Sequence, residues 1–299
     1  MENQLKICPI ISAKEYDKCY FLIHRAYSHF FGDINNINEL PTYNKENFYK
    51  IRKCINKIDF SSDEKEYKKL INQFRKLKHC KNNDNFIEKS IKEYISESSF
   101  CYLFNRIMRN FEKELVQFAY FMGPFLYGLN KYLKYNPSFA LSKDMKLYRI
   151  IQCSEIEFHQ YTLHLGHIIC FPSLTSTSSE PIYFIPTMLA KKNNNEDKQK
   201  VIKIKMIFNY IHKKGNISPG IIIENKKNKD GIHLSSHPNE KEVILFPFTF
   251  AKITNIKSEI EKGNEIKIIE FEIINRNSYI EYTLRDKVKK RFLFSKLDN

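Results

Sequence analysis

A polar turn, Ser235-Ser236-His237-Pro238-Asn239, runs into Glu240-Lys241-Glu242 and then into the apolar stretch Val243-Ile244-Leu245-Phe246-Pro247. Alternation along a strand predicts that Glu240 and Glu242 share one face while Lys241 points away. Two carboxylates side by side repel each other, an arrangement rarely adopted for stability alone. The pair therefore suits chemistry on something cationic. A solvated strand that blocks edge pairing is the plainer use of the same residues. Two further polar features stand on predicted strands: Arg149 directly after Tyr148, and the hydroxyl cluster Ser176-Thr177-Ser178. The planar fork of a guanidinium matches phosphate oxygens in a way lysine cannot copy. Singly, an arginine in a strand is more often an ion-pair partner, and Ser and Thr runs are ordinary turn material.

The elements that must position these groups fall into two kinds. Residues 1–85 read as mainly helical, with Tyr67, Leu70, Ile71, Phe74 and Leu77 recurring on the helical period. The polar run Lys81-Asn82-Asn83-Asp84-Asn85 is the expected boundary of this region. A short helix is predicted at Ile87–Tyr94. Apolar faces at Leu103, Phe104, Ile107, Met108, Phe111, Leu115 and Phe118, and then at Phe121 to Leu133, predict longer ones. Beyond about residue 145 the pattern turns to β-rich runs: Lys146–Cys153, Ile168–Thr177, Lys200–Asn209, Gly220–Ile223, Lys241–Phe250 and Ile266–Ile274. Helices first and strands afterwards predict an α+β architecture. The chain divides on this reading into 1–85, of unassigned role, 86–280, bearing the polar features, and a basic tail, 281–299.

The net charge of +15 is concentrated past residue 190, in Lys191–Lys200, Lys213-Lys214, Lys226–Lys229 and Arg285–Lys296. This favours acidic partners, nucleic acid or an anionic surface, although solvated lysine-rich loops account for it at least as well. The seven cysteines are odd in number and widely spaced, which predicts free thiols in a reducing compartment. With no signal segment and no apolar run of transmembrane length, the expectation is an intracellular, cytoplasmic protein without a membrane span. Phosphate-loop, dinucleotide-fold, zinc-protease and serine-hydrolase motifs are absent, and no histidine or cysteine spacing suits a metal.

The order aromatic-Arg, Ser-Thr-Ser, Glu-x-Glu resembles that of the mono-ADP-ribosyltransferases of the Arg–Ser–Glu type. Tyr148-Arg149 is similar to the family's first motif, and Ser176-Thr177-Ser178, preceded by Phe171-Pro172-Ser173-Leu174-Thr175, to its second. Asn239-Glu240-Lys241-Glu242-Val243-Ile244-Leu245 resembles the third and most specific. The likeness spans about residues 90–275, with 98–135 as the helical pair before the arginine strand. One departure is Ile150, where many members carry Gly after the arginine. The resemblance implies an ADP-ribosyltransferase-like fold, with two packed, mostly antiparallel sheets around an NAD cleft and an N-terminal helical region. It implies an enzyme that takes NAD as co-substrate, uses no metal, and modifies a protein substrate through an accessible arginine.

The same resemblance assigns roles. Breaking the bond from ribose to nicotinamide generates an oxocarbenium-like sugar, as in glycoside hydrolysis. Glu242 is the carboxylate that bonds the ribose and stabilises that charge. Arg149 clamps phosphate, Ser176 orients Glu242, and Tyr148, Thr177 and Ser178 line the cofactor site. Phe184, or Tyr183, stacks on nicotinamide. Glu240 receives the incoming guanidinium, whose pKa above ~12 otherwise keeps it from acting as a nucleophile. His237 is expected to be an exposed turn residue. Two alternatives stand beside this reading: an NAD glycohydrolase or catalytically silent NAD-binding relative, and, less favoured, a nucleic-acid-binding protein whose basic loops dominate.

Overall fold

The computed structural model describes residues 83–95, 132–171, 173–181, 201–214, 218–223, 241–247, 249–261 and 263–274, with scattered positions between 68 and 80 and residues 101, 105, 129 and 234. Helix α1, Asn83–Ile95, opens within the expected polar boundary, with Asp84 favourably placed in its first turn. Leu77 and Cys80 are buried just before it, and Lys76 Nζ reaches Glu93 of α1 at 3.2 Å. A short 3-10 turn, Pro137–Phe139, then leads to strand β1, Met145–Ser154.

Helix α2, Glu155–Leu163, follows β1 without a loop. It was not expected, yet Ser154-Glu155-Ile156-Glu157 spells its start. Ser154 Oγ accepts from Glu157 N at 3.3 Å, and Glu157 Oε2 accepts from Ser154 N at 2.8 Å, a reciprocal cap. The predicted strand Ile168–Thr177 is two strands, β2, Ile168–Phe171, and β3, Thr175–Ser178. Proline at 172, which has no amide to give a ladder, stands in the gap. The order continues with β4, Val201–Tyr210, β5, Gly220–Ile222, β6, Glu242–Leu245, β7, Thr249–Glu261, and β8, Asn264–Ile274. The predicted strand Lys241–Phe250 is likewise broken, with Phe246 and Pro247 between β6 and β7.

These strands hydrogen-bond in the order β2-β7-β8-β4-β1-β3-β6-β5. Every pairing is antiparallel except β4 with β8. The architecture is thus α+β with a mixed, mostly antiparallel sheet. Instead of the two separate sheets expected, one ladder runs through all eight strands. It narrows between β1 and β3 to a single residue pair, Tyr148 with Ser178.

That sheet cannot be flat. Four residue steps from Phe171 to Thr175 span at most ~14 Å. The five strand intervals between β2 and β3 would occupy ~24 Å in a flat sheet. The sheet must therefore fold over itself at its weak pairing and bring its two parts face to face. The core shows the result: Phe171, Phe208, Phe271, Ile204 and Ala251 of the larger part share one buried cluster with Ile222, Val243 and Leu245 of the smaller. Phe208 and Phe271 stack at 4.8 Å, with Phe171 edge-on to both.

Register in the smaller part depends on close backbone approach at Gly220, opposite Leu245. A Cβ there would lie 2.5 Å from the Ile244 carbonyl oxygen, which is backbone and cannot swing aside. Gly220→Ala is therefore expected to destabilise the protein by about 1–3 kcal/mol, read as a lowered denaturant midpoint. An unchanged midpoint would mean that β5 does not set the position of β6.

Candidate active site

Glu242 is the first residue of β6, and the residue before it is unusual. Lys241 takes φ +47°, the only positive φ among described residues other than glycine. For a residue with a Cβ this left-handed conformation costs about 1–2 kcal/mol. Regular strand geometry is therefore described only from Glu242 onward, and the expectation that Glu240 and Glu242 share a strand face reaches a residue beyond it. Glu240 itself lies outside the described residues, as do His237, Tyr183 and Phe184 and most of the expected helical pair 98–135.

From Glu242 onward the register is regular. Ser178 lies opposite Glu242, Thr177 opposite Val243 and Ser176 opposite Ile244. Ser176, Ser178 and Glu242 thus share one face, and Thr177 shares the other with Val243. Ser176 Oγ donates to Glu242 Oε1 at 2.5 Å, a short charge-assisted bond. Thr177 is fully buried, and its hydroxyl donates to the Val243 carbonyl at 2.6 Å. It therefore backs the site and ties β3 to β6 behind it. Ser178 is buried too, and its Oγ accepts from Glu180 N at 3.1 Å.

Arg149 joins these groups where the ladder opens. Had β1 and β3 stayed paired beyond Tyr148 and Ser178, Ile150 would lie opposite Ser176. Instead the strands part, and Arg149 Nη1 donates to the Ser176 carbonyl at 2.6 Å. Ser176 is thus held at both ends, its carbonyl by Arg149 and its hydroxyl by Glu242. Arg149, Ser176, Glu242 and Tyr148 are all half-buried. They are reachable by a ligand yet partly withdrawn from water, where charge interactions gain strength. The Ser176 carbonyl is the one hydrogen-bond acceptor of Arg149 among the described residues, and the guanidinium forms no ion pair there. Most of its fork of donors remains for an anion.

The same face is roofed away from Glu242 by the helical layer. Ile91 and Tyr94 of α1, with Leu129 and Leu174, enclose a small apolar cavity against Ile221, Ile244 and Phe246. Tyr94 Oη donates to the Leu174 carbonyl at 3.0 Å, pinning α1 to the link between β2 and β3. Tyr94, Glu180 and Lys241 had no assigned role in the sequence. Only the place of Lys241 between two glutamates, and of Glu180 two residues past the serine cluster, hinted at one. Nucleophilic chemistry by the buried thiol of Cys153, four residues along β1 from Arg149, is disfavoured. Burial first, and then the charge of Glu157, push Cys153 up to about 12, so it stays protonated at neutral pH.

A prediction follows from the buried hydroxyl of Thr177. Thr177→Val keeps the shape but removes its donor, and is expected to lower stability by about 1 kcal/mol in denaturant unfolding. The shift in Cys153 has a sign that can be tested as well. With a folded value raised above the usual 9, its contribution is intact below pH 9 and is lost as pH climbs from 9 towards about 12. Iodoacetamide at pH 8 should therefore leave Cys153 unmodified in the folded protein and alkylate it once urea unfolds the chain; rapid native labelling would refute its burial.

No family model matches the sequence, and no curated protein matches it. Solved structures similar to it include the Vis toxin of Vibrio splendidus, an ADP-ribosyltransferase, at 16% identity over 82% of this chain and 92% of that one, with a TM-score of 0.40. The ADP-ribosyltransferase HopU1 of Pseudomonas syringae is similar at 12% identity over 77% and 96%, with a TM-score of 0.45. The C3larvin toxin of Paenibacillus larvae, also an ADP-ribosyltransferase, is similar at 17% identity over 63% and 94%, with a TM-score of 0.38.

Proposed function

We propose that this chain transfers ADP-ribose from NAD to arginine side chains of proteins and releases nicotinamide. The observation that carries the reading is the hydrogen-bonded series Arg149–Ser176–Glu242 at the parting of β1 and β3. It unites a phosphate-binding fork, an orienting hydroxyl and a fixed carboxylate across one serine. NAD supplies a glycosidic bond to a positively charged leaving group. Arg149 offers its remaining donors to the pyrophosphate, and Tyr148 and Ser178 border the same opening. Glu242, with one oxygen already fixed by Ser176, accepts from a ribose hydroxyl and stabilises positive charge as it grows on the sugar. Because the carboxylate is aimed beforehand, little reorganisation is needed when that charge appears.

Selection of arginine as acceptor rests on Glu240. Placed two residues before Glu242, its carboxylate binds the incoming guanidinium and takes the proton that the attacking nitrogen loses. The nitrogen forms its bond to the ribose carbon as the bond to nicotinamide breaks, and nicotinamide leaves with that electron pair. Phe184 is assigned the stacking position beside nicotinamide. No metal has a part in these steps, and the basic loops past residue 190 serve to approach an acidic protein surface.

Incubation with labelled NAD, with and without agmatine or polyarginine, tests the proposal. Label should enter the acceptor. Glu242→Ala is expected to lower both transfer and nicotinamide release by about 10²–10³. Glu240→Gln should lose transfer to arginine and keep part of the NAD cleavage. Nicotinamide release with no labelled acceptor would make the protein a glycohydrolase. Full activity in Glu242→Ala would remove the carboxylate from the mechanism.

A further inference from the structure

Two consecutive residues leaving β3 grip the strained residue that precedes Glu242. The amide of Ser179 donates to the Lys241 carbonyl at 3.1 Å, and its hydroxyl reaches the same oxygen at 3.4 Å. The next side chain, Glu180, forms an ion pair with the Lys241 ammonium. Glu180 is itself steadied by its amide, which donates to Ser178 Oγ at 3.1 Å. On the far side, the Glu242 carbonyl accepts from Ile223 N at 2.8 Å. Lys241 is therefore held by backbone and side chain together, in a conformation that a lysine seldom adopts.

We propose that Glu180 and Lys241 form a positioning clasp for the carboxylate at Glu242, an inference that rests on the function proposed above. Two consequences follow from the geometry. The left-handed turn sets the direction in which the chain enters β6, and so puts the Glu242 side chain on the face of Ser176. The pairing also gives the Lys241 ammonium a carboxylate partner, Glu180, other than its neighbour in the sequence, Glu242. A lysine paired with Glu242 instead would offset part of the negative potential that the proposed chemistry needs. Both partners are partly exposed, with side chains 45% and 35% accessible, so the clasp can be released without unfolding the core. Neither residue touches substrate in this account; both act through Glu242.

The full-length protein and three variants, Glu180→Gln, Lys241→Gln and the exchange Glu180→Lys with Lys241→Glu, provide the test. Two readouts are taken: steady-state NAD cleavage with agmatine, and hydrogen exchange of the Ser179 and Ile223 amides. An exposed pair of this kind shifts an equilibrium by up to about fivefold. Each single variant should lower kcat by about that factor with little change in the KM for NAD, the pattern of a group felt mainly in the transition state. Each should also speed exchange at Ser179 by a similar factor, and the exchanged pair should recover most of both losses. Unchanged kcat and unchanged Ser179 exchange in the single variants would overturn the clasp, as would an exchanged pair no better than the singles. If the parent protein cleaves no NAD, the functional reading fails, and Ser179 exchange in the single and exchanged variants alone then decides the clasp.

Discussion

The short link from β2 to β3 constrains everything else in this molecule. Strands at opposite ends of a six-strand stretch are joined by a connection too short to cross a flat sheet, so the sheet has to fold over itself. Folding brings apolar faces from both parts into one core, with Phe171 at the link itself among the buried aromatics. It also requires a place where the ladder can give. That place is the pairing of β1 with β3, reduced to Tyr148 and Ser178. A fold that must part there leaves backbone groups that need partners.

Arg149 answers that need and creates the site in doing so. Its guanidinium replaces the lost ladder bond at the Ser176 carbonyl, which is why an arginine is accommodated on a strand whose neighbours Leu147, Ile151 and Cys153 are buried. The hydroxyl of the same serine then fixes Glu242. Structural and functional demands meet in one residue: the bonds that stabilise the parting also aim a carboxylate and leave donors beside it. Behind the strand, Thr177 ties β3 to β6 through the Val243 carbonyl, and so holds the two site-bearing strands in register.

Much of this was legible in the sequence, and the residues show why the rest was not. The apolar run Val243-Ile244-Leu245, the hydroxyl cluster and the apolar stretch around Arg149 depend on local pattern, and each lies on a strand as that pattern predicts, although two of the predicted strands are broken in two. The cap at Ser154 was equally local, and was readable from Ser-x-x-Glu although the helix had not been expected. The left-handed turn at Lys241 was not, because nothing in a lysine favours positive φ; the contacts that hold it include Ser179 and Glu180, some 60 residues away in the sequence. Strand order was hidden for the same reason. A single sheet of eight strands and two packed sheets share one alternation pattern, and the difference lies in one long-range pair, Tyr148 with Ser178.

The proposed function puts NAD at the parting of β1 from β3. Titration of the isotopically labelled protein with NAD, followed by amide and side-chain resonances, tests it most directly. The account predicts saturable shifts centred on Tyr148, the Arg149 guanidinium, Ser176, Ser178 and Glu242, strongly weakened in Arg149→Lys. Shifts confined to the basic loops past residue 190, or none at saturating NAD, would contradict it.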